Sequence, residues 1–519
     1  MQTFTLRKPA VRSRHGLVAA QNRHAAEAGA AVLARGGNAM DAAITTALVL
    51  SVVEPWLSGV GGGGFLLHCN GATGAVDTLD FNVVSPAGLD PAGYRLSAGA
   101  GSGNWFQWPA VEGDRNVSGY DSICVPGAVA GFAAALEKFG TISFAEAVQP
   151  AIEHAERGLE VDWFTCLALA IDAAALARYP ASAALFLDHG LAPRASDQTP
   201  PVRRRMPAKA RLLKQLAKAG ARDFYEGETA RMLARDLEAG GSVIRASDLA
   251  RYQALWCAPL VGQYRHFEVN AMAGLSGGPS LLSACDTLAR SDLGPASSMA
   301  DAALLYATAI RSAYEQRLAT MGHAATALAG CTSHVSVVDA GGSMVSLTNT
   351  LLSRFGSKVV LPNAGILMNN GMMWFDPRPA QPNSIAPGAK PLANMCPVIL
   401  KTGGLPSLAM GAAGGRMIFP TLLQLMSYVA DFGLALEDAF HAPRIEASTP
   451  TIKVDPRAGP EVAARIASRY PVEIVEEAVY PVNFAAPCAV ARAATHNVGM
   501  AHPSSPWAAV AVGGPVDGH

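Results

Sequence analysis

The sequence has few charged residues and no excess of either sign. Asp, Glu, Lys and Arg together make up 16% of its 519 residues, and the formal net charge is −1. A short basic run such as Arg203-Arg204-Arg205 is typical of a solvated helix start rather than of a phosphate-binding surface. We therefore expect no nucleic-acid partner. The apolar share of 50% indicates a compact protein, built as two subdomains or as one large layered α/β domain.

Long apolar runs are also missing. A membrane-spanning helix needs roughly 18 or more consecutive apolar residues, whereas the apolar stretch from Ala39 to Val53 contains Asp41 and many small residues, as in a buried helix. The first 15 residues contain four Lys and Arg residues but no apolar run long enough for a signal peptide. The sequence therefore predicts no membrane partner and a cytoplasmic location.

Cysteine pairs at metal-binding spacing are absent. The eight cysteines are scattered, and no two of them form a C-x-x-C motif. Neither a zinc ribbon nor a disulfide framework is therefore indicated. Most of these cysteines are expected to be small buried apolar residues.

Helical periodicity dominates the middle of the chain, from about Ser122 to Tyr252, and further helices are indicated on either side of it. The predicted helices cover residues 24–36, 38–53, 128–138, 144–157, 208–219, 229–239 and 300–317. A glycine run at 59–64 opens a hairpin of two strands, 65–68 and 75–81, with a turn at Asn70-Gly71, and strand signals return at 260–272. Because the glycine run lacks the Lys-Ser/Thr ending and the following helix of a phosphate loop, it predicts a strand start and no nucleotide site.

The pattern changes sharply after residue 330. Segments 333–339 and 344–350 alternate like strands across the turn Ala340-Gly341-Gly342. Thr332 therefore stands at the start of a strand.

The segment around Thr332 is one of several islands that form a specific pattern. It consists of Gly330-Cys331-Thr332-Ser333-His334-Val335-Ser336-Val337-Val338-Asp339, followed by Ser346 to Thr350 and Phe355-Gly356-Ser357. The other islands are Gly36 to Ala43, Gly61 to Phe65, Val125 to Phe132, Gly365 to Asn370 and Gly414-Gly415. In content and order, from residue 17 to about 450, this pattern resembles the γ-glutamyltranspeptidase family.

The resemblance implies a fold and a chain organisation. The expected fold is α/β (α+β), the four-layer αββα sandwich of N-terminal nucleophile (Ntn) hydrolases. Self-cleavage before Thr332 divides the chain into residues 1–331, a large subunit with the helical layer, and residues 332–519, a small subunit that begins with the nucleophile. The two pieces are expected to stay interleaved as a heterodimer, with no metal and no organic cofactor.

The chemistry of a threonine nucleophile explains why the cut matters. A threonine hydroxyl needs a base within reach, and the α-amino group freed by cleavage, with an unperturbed pKa of about 7.7–8.0, supplies one. By resemblance, Thr350 hydrogen-bonds the Thr332 hydroxyl, and the N–H groups of Gly414 and Gly415 form the oxyanion hole. Without the family, Thr350 is an ordinary strand residue and the glycine pair a turn. Cys331 is a competing nucleophile if the cut falls one residue earlier.

The charged ligands that a γ-glutamyl group requires are missing. The family's positions carry Asn82 for an arginine, Ala393 and Asn394 for two serines, Leu352 for an asparagine, Gly371 for a glutamine and Trp374 for an aspartate. The segment from Pro377 to Lys390 is also short, which implies an open cleft that favours water as acceptor. The resemblance therefore predicts hydrolysis of another small-molecule amide. The candidate substrate-binding residues are Asn82, Leu352, Arg354, Asn370, Trp374, Ala393 and Asn394, of which Arg354 either holds a carboxylate or has a structural role.

Several functions remain open at this point. A self-processing amidohydrolase similar to oxamate amidohydrolases or to cephalosporin acylases fits the lost ligands. The second hypothesis is a glutathione hydrolase or γ-glutamyltransferase that binds its substrate through different residues. An uncleaved, catalytically silent binding protein is the third, although the retained Thr332, Thr350, Gly414 and Gly415 speak against it.

Overall fold

The fold stacks two antiparallel sheets between layers of helices. The computed structural model describes residues 6–98, 108–194, 202–324 and 333–515. Its strands are β1 (Val11–Ser13), β2 (Gly16–Ala20), β3 (Gly63–Cys69), β4 (Val76–Phe81), β5 (Leu159–Glu160), β6 (Arg203–Arg204), β7 (Leu255–Cys257), β8 (Leu260–Tyr264), β9 (Phe267–Ala271), β10 (Ser333–Val338), β11 (Met344–Thr350), β12 (Val398–Thr402), β13 (Leu405–Ala413), β14 (Ile445–Glu446), β15 (Ile452–Val454), β16 (Val472–Ile474), β17 (Ala486–Arg492), β18 (Asn497–Ala501) and β19 (Ala509–Gly513). Its helices are α1 (Arg23–Ala34), α2 (Ala39–Val53), α3 (Ala128–Phe139), α4 (Phe144–Arg157), α5 (Trp163–Leu176), α6 (Pro180–Phe186), α7 (Pro207–Ala219), α8 (Asp223–Glu226), α9 (Glu228–Ala239), α10 (Ala246–Ala250), α11 (Gly278–Ala289), α12 (Met299–Thr320), α13 (Ile418–Ala430), α14 (Leu436–His441) and α15 (Pro460–Ala467).

Both large sheets combine strands from distant parts of the chain. The first has the order β1-β18-β17-β13-β12-β9-β8, and the second has the order β19-β2-β10-β11-β3-β4-β7. The neighbouring strands in both are antiparallel. Each sheet therefore contains strands from before and from after position 332.

The helices complete a four-layer arrangement. Helices α1 and α2 pack on the second sheet, α11 and α13 pack on the first, and the two sheets face each other through β10, β11, β13 and β17. This is the predicted αββα sandwich, so the fold class expected from the sequence is confirmed. No helix in the described ranges is both long and apolar enough to cross a membrane.

Helix α2 shows how an apolar segment with one acid fits into this core. It packs against the second sheet on one side and against α3 and α4 on the other, so nearly all of its surface is buried, as its composition indicates. Asp41 is satisfied inside the core, because it accepts the N–H groups of Asn38 at 2.9 Å and Thr141 at 2.8 Å.

The sheets approach closely where Gly411 of β13 faces His334 of β10. A methyl group at Gly411 would overlap the His334 imidazole ring. That ring is fully buried, and burial lowers the pKa of His334 to about 3, so it is neutral. Its Nδ1 lies 3.0 Å from Thr348 Oγ1 and its Nε2 lies 2.9 Å from Ser336 Oγ. Both partners belong to the same sheet as His334, and their contacts hold the ring in place where it faces β13.

Replacing Gly411 with alanine is expected to destabilise the protein by about 1–3 kcal/mol, the usual cost of overpacking a core. The His334 ring has no free direction in which to retreat without breaking a hydrogen bond. Urea unfolding in a Thr332→Ala background, which removes the expected cleavage, measures the change. Gly294→Ala is the control, since among the described residues only its chain neighbours come within 4 Å of its added methyl group. Equal midpoints for the two variants would contradict this packing.

Candidate active site

The described part of β10 begins at Ser333, one residue after the expected nucleophile. Thr332 and its competitor Cys331 lie outside the described residues. Ser333 is buried, and its hydroxyl lies 3.5 Å from Glu54 Oε2, to which it donates. The chain neighbour of Thr332 is therefore in contact with Glu54, the residue that follows helix α2.

A cavity of about 320 Å³ lies beside this strand end. Glu54, Thr350, Gly414 and Gly415 line one part of it. Apolar side chains line much of the remainder, namely Leu57, Phe164, Leu352, Val479, Tyr480, Val482 and Phe484. The cavity thus joins polar groups suited to acyl transfer to an apolar surface suited to a substrate body.

Thr350 ends β11, and its hydroxyl is held by the loop on either side. It accepts the N–H of Leu352 at 2.7 Å and donates to the Leu57 carbonyl oxygen at 3.4 Å. In the sheet, Thr350 pairs with Gly63 of the glycine run. The hydroxyl is therefore fixed in orientation at the cavity wall.

Gly414 and Gly415 form the turn between β13 and a short helical turn at Gly415–Met417. Their φ angles are +147° and +58°, which favour glycine, and a methyl group at Gly414 would lie 2.7 Å from Ala485 Cα. The first N–H groups of a helical turn have no acceptor within the turn. Two backbone donors at a cavity wall are what an oxyanion hole requires.

Glu54 is a buried acid without a cation among its described contacts. Burial raises the pKa of Glu54 to about 8, and the hydrogen bond from Ser333 opposes this rise. At neutral pH the carboxyl group is therefore mainly protonated. It is able to donate a hydrogen bond as well as to accept one.

The second acid in the wall, Glu477, is in the opposite situation. Burial opposes its ionisation, but the charges of Arg444, His502 and Arg457 hold its pKa below the usual value. Arg444 contacts Glu477 Oε1 and Arg457 Nη2 lies 2.7 Å from Oε2. Glu477 is thus an ionised, compensated carboxylate.

The residues predicted to bind substrate divide into two groups. Leu352 and Arg354 line the cavity together with Thr350, Gly414 and Gly415. The others are almost completely buried in the protein interior and do not line it, namely Asn82, Asn370, Trp374, Ala393 and Asn394.

Two of these buried residues, Trp374 and Ala393, are held through their backbone carbonyl oxygens. Asn383 donates to the Trp374 carbonyl oxygen at 2.7 Å and accepts the Leu392 N–H at 2.9 Å, which joins the two segments. Arg317 donates to the Ala393 carbonyl oxygen. The side-chain amides of Asn82 and Asn394 have no hydrogen-bond partner within the described part of the chain.

Asn370 holds the loop that carries Leu352 and Arg354. Its Oδ1 accepts the Ser353 N–H at 3.1 Å, and its Nδ2 donates to Ser353 Oγ and to the Val117 carbonyl oxygen, both at 2.8 Å. Leu352 has φ = +85°, which is costly for a side chain of this size. The clamp by Asn370 stabilises this strained backbone, so Asn370 acts on the site through the loop.

Sequence reasoning missed several cavity residues. Glu54 carried a usable signal, because it is an acid that directly ends an apolar helix and precedes Pro55 and the glycine run. The wall formed by Tyr480 and Phe484 belongs to a C-terminal segment in which the sequence shows no motif.

Known proteins are similar to this chain over most of its length. The family model for gamma-glutamyltranspeptidase matches residues 25–329 and 323–512. An acylase ACY 1 proenzyme from Pseudomonas sp. is 32% identical over 480 residues, covering 85% of this chain and 84% of that protein. A glutathione hydrolase proenzyme from Escherichia coli is 29% identical over 490 residues, covering 84% of this chain and 81% of that protein.

Solved structures show the same architecture. A cephalosporin acylase from Bacillus halodurans superposes with a TM-score of 0.86 over 100% of this chain and 99% of that chain, at 24% identity. A γ-glutamyltranspeptidase from Helicobacter pylori superposes with a TM-score of 0.51 at 29% identity, covering 62% of this chain and 86% of that chain. The fold, the family model and the relatives together define an Ntn-type amidohydrolase. Because the family model matches most of its length, the chain belongs to the γ-glutamyltranspeptidase family.

Glu54→Gln is expected to change how stability depends on pH. Because burial raises the pKa of Glu54 from 4.5 to about 8, the folded protein keeps a proton there that the unfolded chain releases. This group therefore lowers stability as pH rises from about 4.5 to about 8, by up to about 1.4 kcal/mol for each pH unit, and adds no further loss above that window.

Glutamine removes this loss, so the stability of Glu54→Gln relative to its parent should increase steadily from pH 5 to pH 8. Urea unfolding of both proteins in the Thr332→Ala background at a series of pH values gives the difference. A difference that stays constant across the series would show that Glu54 does not titrate in this window.

Proposed function

We propose that the protein is a self-processing amidohydrolase with Thr332 as its nucleophile. The chain cuts itself between Cys331 and Thr332, and the new terminus then hydrolyses a small-molecule amide. One observation carries the proposal. Thr350, the glycine pair and Glu54 line a single cavity, and Glu54 contacts Ser333, the chain neighbour of Thr332.

The proposed reaction uses one residue as nucleophile and base. The α-amine of Thr332 accepts the hydroxyl proton while the oxygen attacks the carbonyl carbon of the amide. The oxyanion accepts N–H bonds from Gly414 and Gly415, and the loss of one such donor typically costs about 2.7–4 kcal/mol of transition-state stabilisation. The C–N bond then breaks, and the leaving amine takes the proton. Water attacks the resulting ester, which releases the acid and regenerates Thr332.

Thr350 is proposed to orient the nucleophile. Its hydroxyl already has fixed partners, Leu57 and Leu352, at the end of the strand beside β10. A hydroxyl so constrained is suited to fix the rotamer of a neighbouring threonine.

The nature of the cavity wall favours an apolar substrate body. At the positions where the resemblance implies ligands for an α-carboxylate and an α-ammonium, Asn82, Trp374, Ala393 and Asn394 are buried in the interior. The open wall instead presents Tyr480, Phe484 and other apolar side chains. The similarity to an acylase proenzyme, at 32% identity, also supports an acylase-like activity.

The two cleaved pieces are proposed to remain a heterodimer. In the second sheet, β10 pairs with β2 and β11 pairs with β3, so that strands of residues 1–331 flank those of residues 332–519. Separation would expose two sheets and the core between them, which is strongly unfavourable.

Cleavage before Thr332 is expected in the purified protein and is expected to be lost in Thr332→Ala. Intact mass under denaturing conditions measures both. Two fragments that meet between Cys331 and Thr332 support the proposal. Cys331→Ala is the matched control, and with Thr332 as nucleophile it should still be cut. A cut one residue earlier in the unaltered protein would instead assign the nucleophile to Cys331. A single uncut chain without amidase activity would favour the silent binding protein.

The processed enzyme is expected to hydrolyse pentanoyl para-nitroanilide with a kcat/KM at least about tenfold above that for γ-glutamyl para-nitroanilide. Each charge-assisted hydrogen bond missing for the γ-glutamyl group is worth about 1.5–3 kcal/mol. Release of para-nitroaniline is followed by absorbance, with Thr332→Ala as the blank. The reverse preference would indicate a glutathione hydrolase. A kcat/KM for ammonia release from oxamate above both of these values would indicate an enzyme similar to oxamate amidohydrolases.

A further inference from the structure

Arg354 is a cation in a wall that is otherwise largely apolar. Its side chain is about one-third exposed, at 32%, and it lines the cavity beside Leu352 and Ser353. Its Nε donates to Asp172 Oδ2 of helix α5. The start of the same helix places Phe164 in the cavity wall. Helix α5 therefore supplies both an apolar surface and the support for the arginine.

The charges around Arg354 do not cancel. Asp172 contacts both Arg354 and Lys358, whose Nζ lies 3.2 Å from Asp172 Oδ1. Two cations share one carboxylate, so the cluster carries a formal charge of +1. A partly buried excess charge attracts an anion more strongly than an exposed one, because water screens it less.

The arginine also keeps donors to offer. Within the described residues, its hydrogen bonds involve only Nε and the backbone carbonyl oxygen, which accepts from Lys358 Nζ. In the described structure, the N–H groups of both terminal nitrogens are therefore available to donate to a ligand. Arginine presents these donors in a planar fork that matches the two oxygens of a carboxylate.

The backbone that carries Arg354 is rigid. Asn370 clamps Ser353 from one side. Phe355, on the other side, donates its N–H to the Trp56 carbonyl oxygen at 2.7 Å. A side chain between two fixed residues loses little further backbone freedom when it binds a ligand.

We propose that Arg354 is a specificity-determining residue that binds a carboxylate carried by the substrate at a distance from the scissile amide. This inference rests on the proposed amidohydrolase function. The substrate class is then an amide with an apolar body and a free carboxylate. The wall acid Glu477 does not oppose such an anion, since Arg444 and Arg457 already compensate it.

Two substrate pairs test the proposal. In the first, glutaryl para-nitroanilide carries a carboxylate on the acyl side that pentanoyl para-nitroanilide lacks. In the second, the pentanoyl amide of para-aminobenzoate carries one on the leaving group that pentanoyl anilide lacks. In at least one pair, Arg354→Gln should lower kcat/KM for the acidic member by about 10- to 100-fold and for the neutral member by less than about threefold.

Further variants separate recognition from folding. Arg354→Lys keeps a charge but not the planar fork, so it should restore part of the lost rate. Arg465→Gln removes an exposed arginine paired with Asp301 outside the cavity and should leave both pairs unchanged. Thermal unfolding checks that each variant is folded. Equal losses for acidic and neutral members, or no loss for any, would overturn the proposal.

Equilibrium binding distinguishes failure of this inference from failure of the proposed function. If the wild-type protein hydrolyses none of the four compounds, calorimetric titration of the same compounds into it measures their affinity. Tighter binding of an acidic member that is lost in Arg354→Gln supports the carboxylate site even when hydrolysis fails. No preference for an acidic member in the wild-type protein overturns it.

Discussion

The close approach of backbones at the glycine run is the constraint on which the site depends. A methyl group at Gly62 would overlap the Thr350 carbonyl oxygen, and one at Gly64 would overlap the Thr348 carbonyl oxygen. The Gly62 carbonyl oxygen also accepts the N–H groups of Gly127 and Ala128, at 2.8 and 3.0 Å, where α3 begins. These contacts fix the register between β3 and β11 and thereby the position at which β11 delivers its last hydroxyl to the cavity. The run therefore serves the close packing of the backbone.

The region in which the family resemblance places the γ-glutamyl ligands is filled by protein side chains. Trp374 is fully buried among apolar neighbours, and Asn383 ties its carbonyl oxygen to the backbone of Leu392. A charged amino-acid head group placed there would lose its water without gaining opposite charges, which is strongly unfavourable. The cavity opens instead toward Tyr480 and Phe484, so substrate selection depends on a different wall.

Local patterns predicted much of the fold but little of this wall. The strands Ser333–Val338 and Met344–Thr350 follow from alternation, and the helix Phe144–Arg157 follows from its apolar period. Helix α13 is missing from the sequence-based prediction, although it is buried on most of its surface in the same way as the predicted helix α2. The pairing of Arg354 with Asp172, 182 residues apart, depends on tertiary placement that no local pattern contains.

Three ionisable side chains of the cavity wall, Glu54, Arg354 and Glu477, differ in their surroundings, and this difference sets the electrostatic field that a substrate meets. Glu477 and Asp455 pair with Arg444 and Arg457, so these four charges cancel. Glu54 has no cation among its contacts in the described residues, so burial keeps it mainly protonated at neutral pH. Only the cluster around Arg354 keeps an uncompensated charge among the groups considered, and that charge is positive. Such a field attracts a carboxylate and repels an ammonium group. A γ-glutamyl compound carries both groups on one carbon atom, so the attraction and the repulsion largely cancel, whereas a substrate with a carboxylate alone keeps the full attraction.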